Sequence, residues 1–272
     1  MNPAQMFESS QVSESMRARV ASELAAVERQ QAVRVLYACE SGSRAWGFAS
    51  PDSDFDVRFL YVHEPEWYLS VEQRRDVIEA MLPGDVDLAG WDLRKALQLL
   101  RKSNPSLLEW LRSPVVYAAD ERFLGEFKSL SASYYRAGRV YAHYLHMAAG
   151  NWRAYLQGEE VNHKKYLYVL RPVLACRWLQ RGFGPPPMEF APLYERLLVG
   201  QPEVYGAVAR LLARKAAHGE LACGPRDPAL HDFLARELAD LEALLPAKAA
   251  ELPPVAELDA FFRRHCGNGV LA

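Results

Sequence analysis

The sequence predicts an α+β protein, in which a small mixed sheet in the first part of the chain is followed by an all-helical domain. Three observations support this class. Up to about residue 118, short β-rich runs alternate with helical segments. From residue 120 onward the strand signals nearly vanish and helical periodicity dominates. With 272 residues, half of them hydrophobic, the chain is long enough for two modest domains, which we place at 1–118 and 119–272.

Hydrophobic periodicity defines the elements of the first domain. A helix is predicted over about 12–31, because Val20, Leu24 and Val27 recur at helical spacing. An apolar, β-rich run at 33–39 indicates a buried strand, on which the first helix is expected to pack. Further strands are predicted at 55–62, 76–81 and 85–91, a short helix opens at Ser43, and another helix spans 93–101.

The second domain is predicted from helical periodicity alone. The candidate helices are 121–131, 133–157, 162–181, 192–199, 202–218, 229–246 and 255–265. Two breaks interrupt this series: a Gly/Pro-rich turn at 182–187, and the segment 219–228 with Gly224 and Pro225. No internal repeat is evident.

Composition excludes several functional classes. The formal net charge of −2 provides no global field toward nucleic acid, so a strongly basic RNA-coating role is disfavoured. The N-terminal segment has no apolar h-region, and no apolar stretch reaches the roughly 18–20 residues of a membrane span. Four cysteines without metal-ligand spacing indicate buried or free thiols: Cys39, Cys176, Cys223 and Cys266. We therefore expect a cytoplasmic protein without a membrane partner.

Two acids at alternate positions, Asp54 and Asp56, carry the main chemical signal. Alternate side chains of a strand share one face, so these carboxylates stand side by side while Phe55 and Val57 face the core. Two like charges at such a short distance repel each other unless a cation neutralises them. Hard oxygen ligands favour Mg²⁺ or Mn²⁺, which also bridge phosphate oxygens. The pair therefore predicts a metal site for phosphoryl chemistry.

A Gly-Ser turn precedes the acids by about ten residues. Gly42 allows close backbone approach, and Ser43 offers a hydroxyl and a backbone N–H at the start of a short helix, which suits a triphosphate. Arg44 and Arg58 flank the motif, where they either neutralise phosphate charge or pair with carboxylates. We predict nucleotide contacts at Gly42, Ser43 and Arg44.

The order of strand, Gly-Ser turn, short helix and acidic strand resembles the nucleotidyltransferase fold of the DNA polymerase β superfamily. One departure is polar Ser41, where the superfamily usually has an apolar residue. The segments GSRAWGF (42–48), DSDFDVRF (52–59) and GWDLRKAL (90–97) are similar to the YcgL-like, RNA-ligase-associated RNA-repair family (RlaP), over about 39–178. This resemblance implies a polymerase-β-like catalytic domain at 1–118 and a helical domain for nucleotide and acceptor at 119–272.

The resemblance also implies a third carboxylate on a neighbouring strand, as a metal ligand or as the base for the attacking hydroxyl. Asp85, Asp87 and Asp92 are the candidates. Asp87 ranks first because it lies mid-strand between apolar residues that face the opposite way, whereas Asp92 occupies a helix N-cap position. The predicted catalytic residues and metal ligands are Asp54, Asp56 and Asp87.

A second candidate site lies on the predicted helix 162–181. Lys164, Tyr168 and Arg171 recur at i, i+4 and i+7 and share one face, with Lys165 beside them. Such a face suits a triphosphate and a stacked base, and the Lys-Lys-Tyr-x-Tyr run resembles the pattern of the family. A solvated basic face is the alternative. We predict nucleotide binding by these four residues and a kink at Pro172.

These features predict a metal-dependent nucleotidyltransferase that moves a nucleoside monophosphate from a nucleoside triphosphate to an acceptor hydroxyl and expels pyrophosphate. The resemblance implies that the acceptor is an RNA end, in RNA repair or processing. Two alternatives stay open: nucleotidylation of a protein or small molecule, and a catalytically silent nucleotide-binding partner protein. The availability of three acids favours an enzyme. The sequence does not predict the preferred base or the oligomeric state.

Overall fold

The structure, a computed structural model, describes residues 12–219, 223–245 and 251–267. Residues 1–11 of the N-terminal segment and the last residue of the helix predicted at 229–246 lie outside these ranges. In chain order the elements are α1 (Glu14–Gln31), β1 (Val33–Glu40), α2 (Gly42–Trp46), β2 (Phe55–His63), α3 (Pro65–Tyr68), β3 (Val77–Leu82), β4 (Val86–Asp92), α4 (Leu93–Arg101), α5 (Pro105–Trp110), β5 (Val116–Ala119), α6 (Glu121–Tyr134), α7 (Ala137–Tyr155), β6 (Glu160–Asn162), α8 (Lys164–Gln180), α9 (Phe190–Leu198), α10 (Pro202–His218), β7 (Cys223–Pro225), α11 (Pro228–Ala243) and α12 (Ala256–Cys266).

The α+β class is confirmed, and each predicted helix and strand is present with ends shifted by a few residues. The sequence reasoning missed α3, α5, β5, β6 and β7, which are too short to show a clear periodic pattern. β6 pairs with β7 in an antiparallel ladder. The region predicted to be all-helical therefore also holds a two-stranded sheet, and β7 lies in the segment that the sequence marked as a break.

The chain packs into two compact units. The sheet unit comprises 12–42, 54–135 and 251–267 of the described residues, and the helical unit comprises 43–53, 136–219 and 223–245. The sequence reasoning placed a single boundary between residues 118 and 119, whereas α6 and α12 belong to the sheet unit. The assignment of catalysis to 1–118 and of nucleotide and acceptor binding to 119–272 stays a prediction.

The sheet unit contains a five-stranded mixed sheet in the order β3-β4-β2-β1-β5. β2 and β4 run parallel, and the other neighbouring strands run antiparallel. α1 begins after Ser13, whose hydroxyl accepts a hydrogen bond from the backbone three residues on. The helix buries Val20, Leu24 and Val27 against apolar sheet residues such as Phe59. The predicted packing of this helix on the sheet is confirmed.

The helical unit is built around α7, α8 and α11. Tyr141 of α7 donates to the carbonyl oxygen of Leu241 of α11 at 2.8 Å. Arg177 of α8 pairs with Glu237 of α11. Pro172 lies inside α8, and the kink predicted there stays a prediction. These contacts join the three helices through buried or partly buried polar groups as well as through their apolar faces.

All four cysteines lie in the described part of the chain and are free thiols, as predicted. Cys39 and Cys176 are buried, and Cys223 is exposed. Within the same ranges, no helix combines the length and the apolarity that crossing a membrane requires.

Candidate active site

The parallel pairing of β2 with β4 places two of the predicted acids side by side. Asp56 of β2 lies directly opposite Asp87 of β4 in the ladder. Paired residues of neighbouring strands project to the same face of a sheet, so both carboxylates lie on one face. Their side chains are 18% and 30% exposed, which leaves them accessible to a small ligand.

Arg58 joins the two carboxylates. Its Nη2 atom donates to Oδ1 of Asp56 at 2.6 Å and to Oδ2 of Asp87 at 2.8 Å. Its Nη1 atom donates to the carbonyl oxygen of Asp87 at 3.0 Å. Of the two roles that the sequence left open for Arg58, the structure shows the ion pair. One guanidinium group therefore bonds to both acids and offsets one of their two negative charges.

The Gly-Ser turn packs closely on Asp56 at Gly42. Its φ is +56°, a conformation that favours glycine, and a Cβ atom there would lie 1.8 Å from Oδ2 of Asp56. The backbone N–H of Ser41 also donates to the carbonyl oxygen of Asp56 at 2.8 Å. The spacing between the turn and the acid motif thus reflects direct contact, and a side chain at residue 42 has no room.

Glu40 is a buried acid at the end of β1 that sequence reasoning missed. Its Oε1 atom accepts from the backbone N–H of Asp56 at 2.8 Å, and its Oε2 atom accepts from the hydroxyl of Tyr117. The hydroxyl of Ser113 donates to its carbonyl oxygen at 2.6 Å. A charged residue two positions before Gly42, at the end of a buried apolar strand, was the available signal.

Buried groups beside the acids do not supply a ready nucleophile. Cys39 lies opposite Arg58 in the β1–β2 ladder. Burial raises the pKa of Cys39 to about 12, although a hydrogen bond with Tyr37 and the charge of Arg58 both lower it. The thiol therefore stays protonated at neutral pH and belongs to the interior of the sheet unit.

The three candidates for the third carboxylate occupy different environments. Asp85 lies in the exposed turn before β4 with a φ of +57°. Asp92 is buried, caps α4 through the backbone N–H of Arg94 and accepts from the hydroxyl of Tyr68. Burial raises the pKa of Asp92, although both hydrogen bonds lower it. Asp87 alone of the three pairs with Asp56 in the ladder, and its catalytic role stays a prediction.

The donor set fits a metal that takes few protein ligands. Asp54 lies one residue before β2 and is partly exposed. Among the described residues, no three His, Cys, Asp or Glu side chains group closely enough to hold a metal by themselves. Mg²⁺ commonly uses one or two carboxylates together with substrate phosphates and water. Asp56 and Asp87, which converge on one nitrogen, match that requirement.

Residues 43–53 belong to the helical unit and include two buried donors. The hydroxyl of Ser43, which is 5% exposed, and the indole N–H of Trp46 have no hydrogen-bond partner in the described ranges. Arg44, predicted as a phosphate ligand, is buried and donates to the carbonyl oxygen of Ser53 at 2.6 Å. Arg44 thus ties the two ends of this segment together, while Ser43 and Trp46 keep unused donors.

The residues of α8 that we predicted to bind nucleotide differ in burial, because some lie at the surface and one lies in the interior. Arg171 is only 3% exposed, donates to the carbonyl oxygen of Met188 at 3.1 and 2.8 Å, and lies 4.8 Å from the Trp46 ring. Tyr168 meets the same ring edge-on at 5.5 Å. The Nζ atom of Lys165 lies 4.9 Å from the centre of the Tyr168 ring, and Lys164 is the first residue of α8. Both lysines are partly exposed. Arg171 therefore supports Trp46, and the lysines provide the accessible charge.

Lys215 of α10 is a buried cation that sequence reasoning missed. It is 1% exposed, and its Nζ atom lies 3.1 Å from the hydroxyl of Ser50 and 3.4 Å from that of Ser53. A Cβ atom at Gly219 would meet Oδ2 of Asp52 at 2.3 Å. The end of α10 is thus built around the turn at 50–53. The available signal was a lysine at helical spacing from apolar residues.

Comparisons with known proteins show the family of this chain. The model of a family described as "RlaP: RNA repair pathway DNA polymerase beta family" matches residues 16–264. The uncharacterized protein YcgL of Bacillus subtilis (strain 168) is 44% identical over 245 residues, which cover 90% of this chain and 94% of that protein. A crystal structure of a nucleotidyltransferase-like protein from Exiguobacterium sibiricum 255-15 covers 84% of this chain and 72% of its own at 17% identity, with a TM-score of 0.29. This chain therefore belongs to the RNA repair pathway DNA polymerase beta family.

Proposed function

We propose that this protein transfers a nucleoside monophosphate from a nucleoside triphosphate to the hydroxyl of an RNA end, with Mg²⁺ or Mn²⁺ as cofactor. The observation that carries the proposal is the side-by-side placement of Asp56 and Asp87, close enough for one nitrogen to bind both. Paired carboxylates at this separation are the usual protein contribution to metal-assisted phosphoryl transfer.

In this proposal Asp56 and Asp87 hold the divalent ion, and Asp54 adds a carboxylate from the residue before β2. The ion, when bound, neutralises phosphate charge and stabilises the attacking and leaving oxygens. Asp87 either completes the ion's ligands or accepts the proton of the acceptor hydroxyl. Glu40 positions Asp56 by accepting from its backbone N–H, and the missing side chain of Gly42 leaves room for the Asp56 carboxylate.

The helical unit carries the proposed nucleotide contacts. The hydroxyl of Ser43 and the indole N–H of Trp46 are buried donors, and such groups rarely stay without an acceptor. Phosphate or ribose oxygens would supply one. Lys164, Lys165 and Tyr168 are proposed to bind the nucleotide from α8, whereas the buried Arg171 positions Trp46 from behind.

RNA is the proposed acceptor because the family to which the chain belongs is described as part of an RNA repair pathway. The acidic pair would act equally well on a hydroxyl of a protein or of a small molecule, since positioning and charge neutralisation carry most of phosphoryl-transfer catalysis. An experiment that compares these acceptors is therefore needed to identify the substrate.

The test is Mg²⁺-dependent transfer from α-labelled ATP, CTP, GTP and UTP, with short RNAs, total tRNA or protein extract as acceptor. We expect label on RNA, and loss of transfer by at least a hundredfold in Asp56→Asn and Asp87→Asn. Asp85→Asn is the matched control, because Asp85 lies in the exposed turn and asparagine tolerates its positive φ. Label on protein would move the assignment to protein nucleotidylation. Full activity in Asp56→Asn would refute the role of the pair.

One observation favours a second candidate, a catalytically silent nucleotide-binding protein. Arg58 pairs with both Asp56 and Asp87, offsets one of their two negative charges and so reduces their need for a metal ion. The two functions differ in one measurement. A silent protein binds nucleotide with the same affinity in EDTA and in Mg²⁺ and transfers no label, whereas the proposed enzyme binds nucleotide more tightly with Mg²⁺.

A further inference from the structure

A polar cavity of ≈ 360 Å³ lies at the other end of the parallel strand pair of the sheet unit. Its wall includes Trp67 and Tyr68 of α3, residues of the following loop, and Arg94 and Gln98 of α4. Trp67 contacts His63, the last residue of β2, which is seven residues beyond Asp56. At ~3.3 Å per residue this is about 23 Å along the strand. A single mononucleotide cannot reach both places, so the cavity is a separate site.

Two arginines of the cavity form no ion pair with the residues that the structure describes. Arg74 and Arg94 hold their guanidinium carbons 5.7 and 5.9 Å from the centre of the Trp67 ring. Arg94 also lies 5.3 Å from the Tyr68 ring. Neither arginine has a carboxylate within ion-pair distance in the described part of the chain, although Glu72 and Asp76 are also wall residues and the charge of Arg94 lowers the pKa of the buried Asp92. The wall therefore presents two guanidinium groups that are not held in an ion pair within the described ranges.

The neighbouring basic residues differ from these two. Lys95 pairs with Asp76 at 2.9 Å, and Arg75 pairs with Glu79. The charge left for a ligand thus belongs to Arg74 and Arg94 alone among the four. This contrast also provides a matched control, because Arg75 is adjacent to Arg74 in the same loop, is exposed, and does not line the cavity.

Aromatic contacts hold the cavity wall in place. The imidazole of His63 stacks on Trp67 with centroids 3.9 Å apart and planes 8° from parallel, so one face of the indole is covered. Phe262 meets the Tyr68 ring edge-on at 4.9 Å. Tyr68 is further fixed by its hydrogen bond to the buried Asp92. The rings therefore form a fixed platform beneath the two arginines.

We propose that this cavity binds one nucleotide unit of a single-stranded RNA, with its phosphate between Arg74 and Arg94 and its base against Tyr68 or a guanidinium plane. Guanidinium groups recognise phosphate through paired hydrogen bonds, and unpaired RNA bases stack on aromatic rings and on arginine planes. The identification of this strand as the acceptor rests on the proposed function. The binding itself needs no transfer and is measurable without it.

The test is fluorescence anisotropy of a labelled single-stranded RNA with the full chain and its variants. We expect Arg74→Gln and Arg94→Gln each to weaken binding about fivefold to tenfold and to reduce the salt dependence by about one counterion. Arg75→Gln should change the affinity less than about twofold. Equal losses in all three variants, or none in Arg74→Gln and Arg94→Gln, would overturn the proposal.

Further measurements separate RNA binding at this cavity from effects on folding and on catalysis. Gln98→Glu adds a negative charge to the wall with little change of shape, so it should weaken RNA binding while thermal unfolding stays unchanged. AMP carries the same phosphate and base. If AMP binds as tightly as RNA and the same variants weaken both, the cavity is a mononucleotide site and the RNA proposal is wrong. Asp56→Asn should bind RNA normally, which separates this site from the proposed catalytic pair.

Discussion

Replacing Arg58 by methionine should make the stability of this protein depend on a divalent ion. The guanidinium bridges Asp56 and Asp87, and the three side chains are 17%, 18% and 30% exposed. Removing one partner costs ~3–5 kcal/mol in a fully buried pair, and an exposed pair contributes ~0–1 kcal/mol. For these partly exposed groups we expect a loss of about 2–3 kcal/mol in the free energy of unfolding in EDTA, because two carboxylates lose their shared cation.

A divalent ion should restore this loss, since it supplies the missing positive charge. At a concentration 100 times its Kd, a bound ion adds about 2.7 kcal/mol, which matches the expected deficit. Urea unfolding in EDTA and in MnCl₂ measures both quantities. Arg75→Met is the control, because Arg75 and Glu79 form an exposed pair for which we expect a change below about 0.5 kcal/mol. Arg58→Met with wild-type stability in EDTA, and no larger gain from Mn²⁺ than the wild type, would show that Arg58 does not stabilise this pair of acids.

Three further predictions concern positions with defined contacts. Gly42→Ala should lower the free energy of unfolding by about 2–4 kcal/mol, because alanine is strained at the positive φ and its Cβ overlaps Asp56. Gly125→Ala is the control, since Gly125 lies in α6 and an added Cβ meets nothing within 4 Å. We expect it to be neutral or to gain up to about 1 kcal/mol in the same chemical unfolding assay. Lys215→Met should be more stable than Lys215→Ala by about 1–2 kcal/mol in the same assay, because it keeps the buried stem. Since burial raises the pKa of Asp92, its contribution to stability is largest below its ordinary value of 3.8 and is lost as pH rises through the raised value. The wild type should therefore lose stability relative to Asp92→Asn on going from pH 3 to pH 7; a difference that does not change with pH would contradict this.

Local patterns were sufficient for the parts of the fold and site that depend on local geometry. The helical spacing of Val20, Leu24 and Val27 predicted the buried face of α1. Strand alternation predicted that Asp87 faces away from its buried neighbours, although Asp87 is the second residue of β4 and not a mid-strand residue. The parallel register that places Asp87 beside Asp56 is a long-range property, and no local pattern encodes it. The same limit applies to Arg58, whose partner on β4 depends on that register.

Burial of individual polar residues was the other gap. The helical wheel placed Arg171 on the same face as Lys164 and Tyr168, but it gave no information on what covers that face. In the structure, Trp46 and the carbonyl oxygen of Met188 bury the guanidinium. A nucleotide-binding residue and a buried positioning residue therefore have the same sequence signal, and only the packing of distant segments distinguishes them.

The position of Arg58 also predicts that metal and nucleotide bind cooperatively. One nitrogen of Arg58 binds Oδ1 of Asp56 and Oδ2 of Asp87, so an ion that binds these same two oxygen atoms displaces the guanidinium. The apparent affinity for the ion is then the intrinsic affinity multiplied by the fraction of molecules in which Arg58 has left. A contact of about 2–3 kcal/mol lowers that affinity by about 30- to 140-fold.

A triphosphate offers the displaced guanidinium another anionic partner and should remove much of this penalty. We therefore expect the Mn²⁺ affinity of the wild type, measured by electron paramagnetic resonance, to rise strongly when a non-hydrolysable triphosphate analogue is added. Arg58→Met should bind Mn²⁺ more tightly than the wild type without the analogue and gain less from it. Equal gains in the two proteins would show that Arg58 does not couple the two ligands, and the ion pair would then be a structural contact alone.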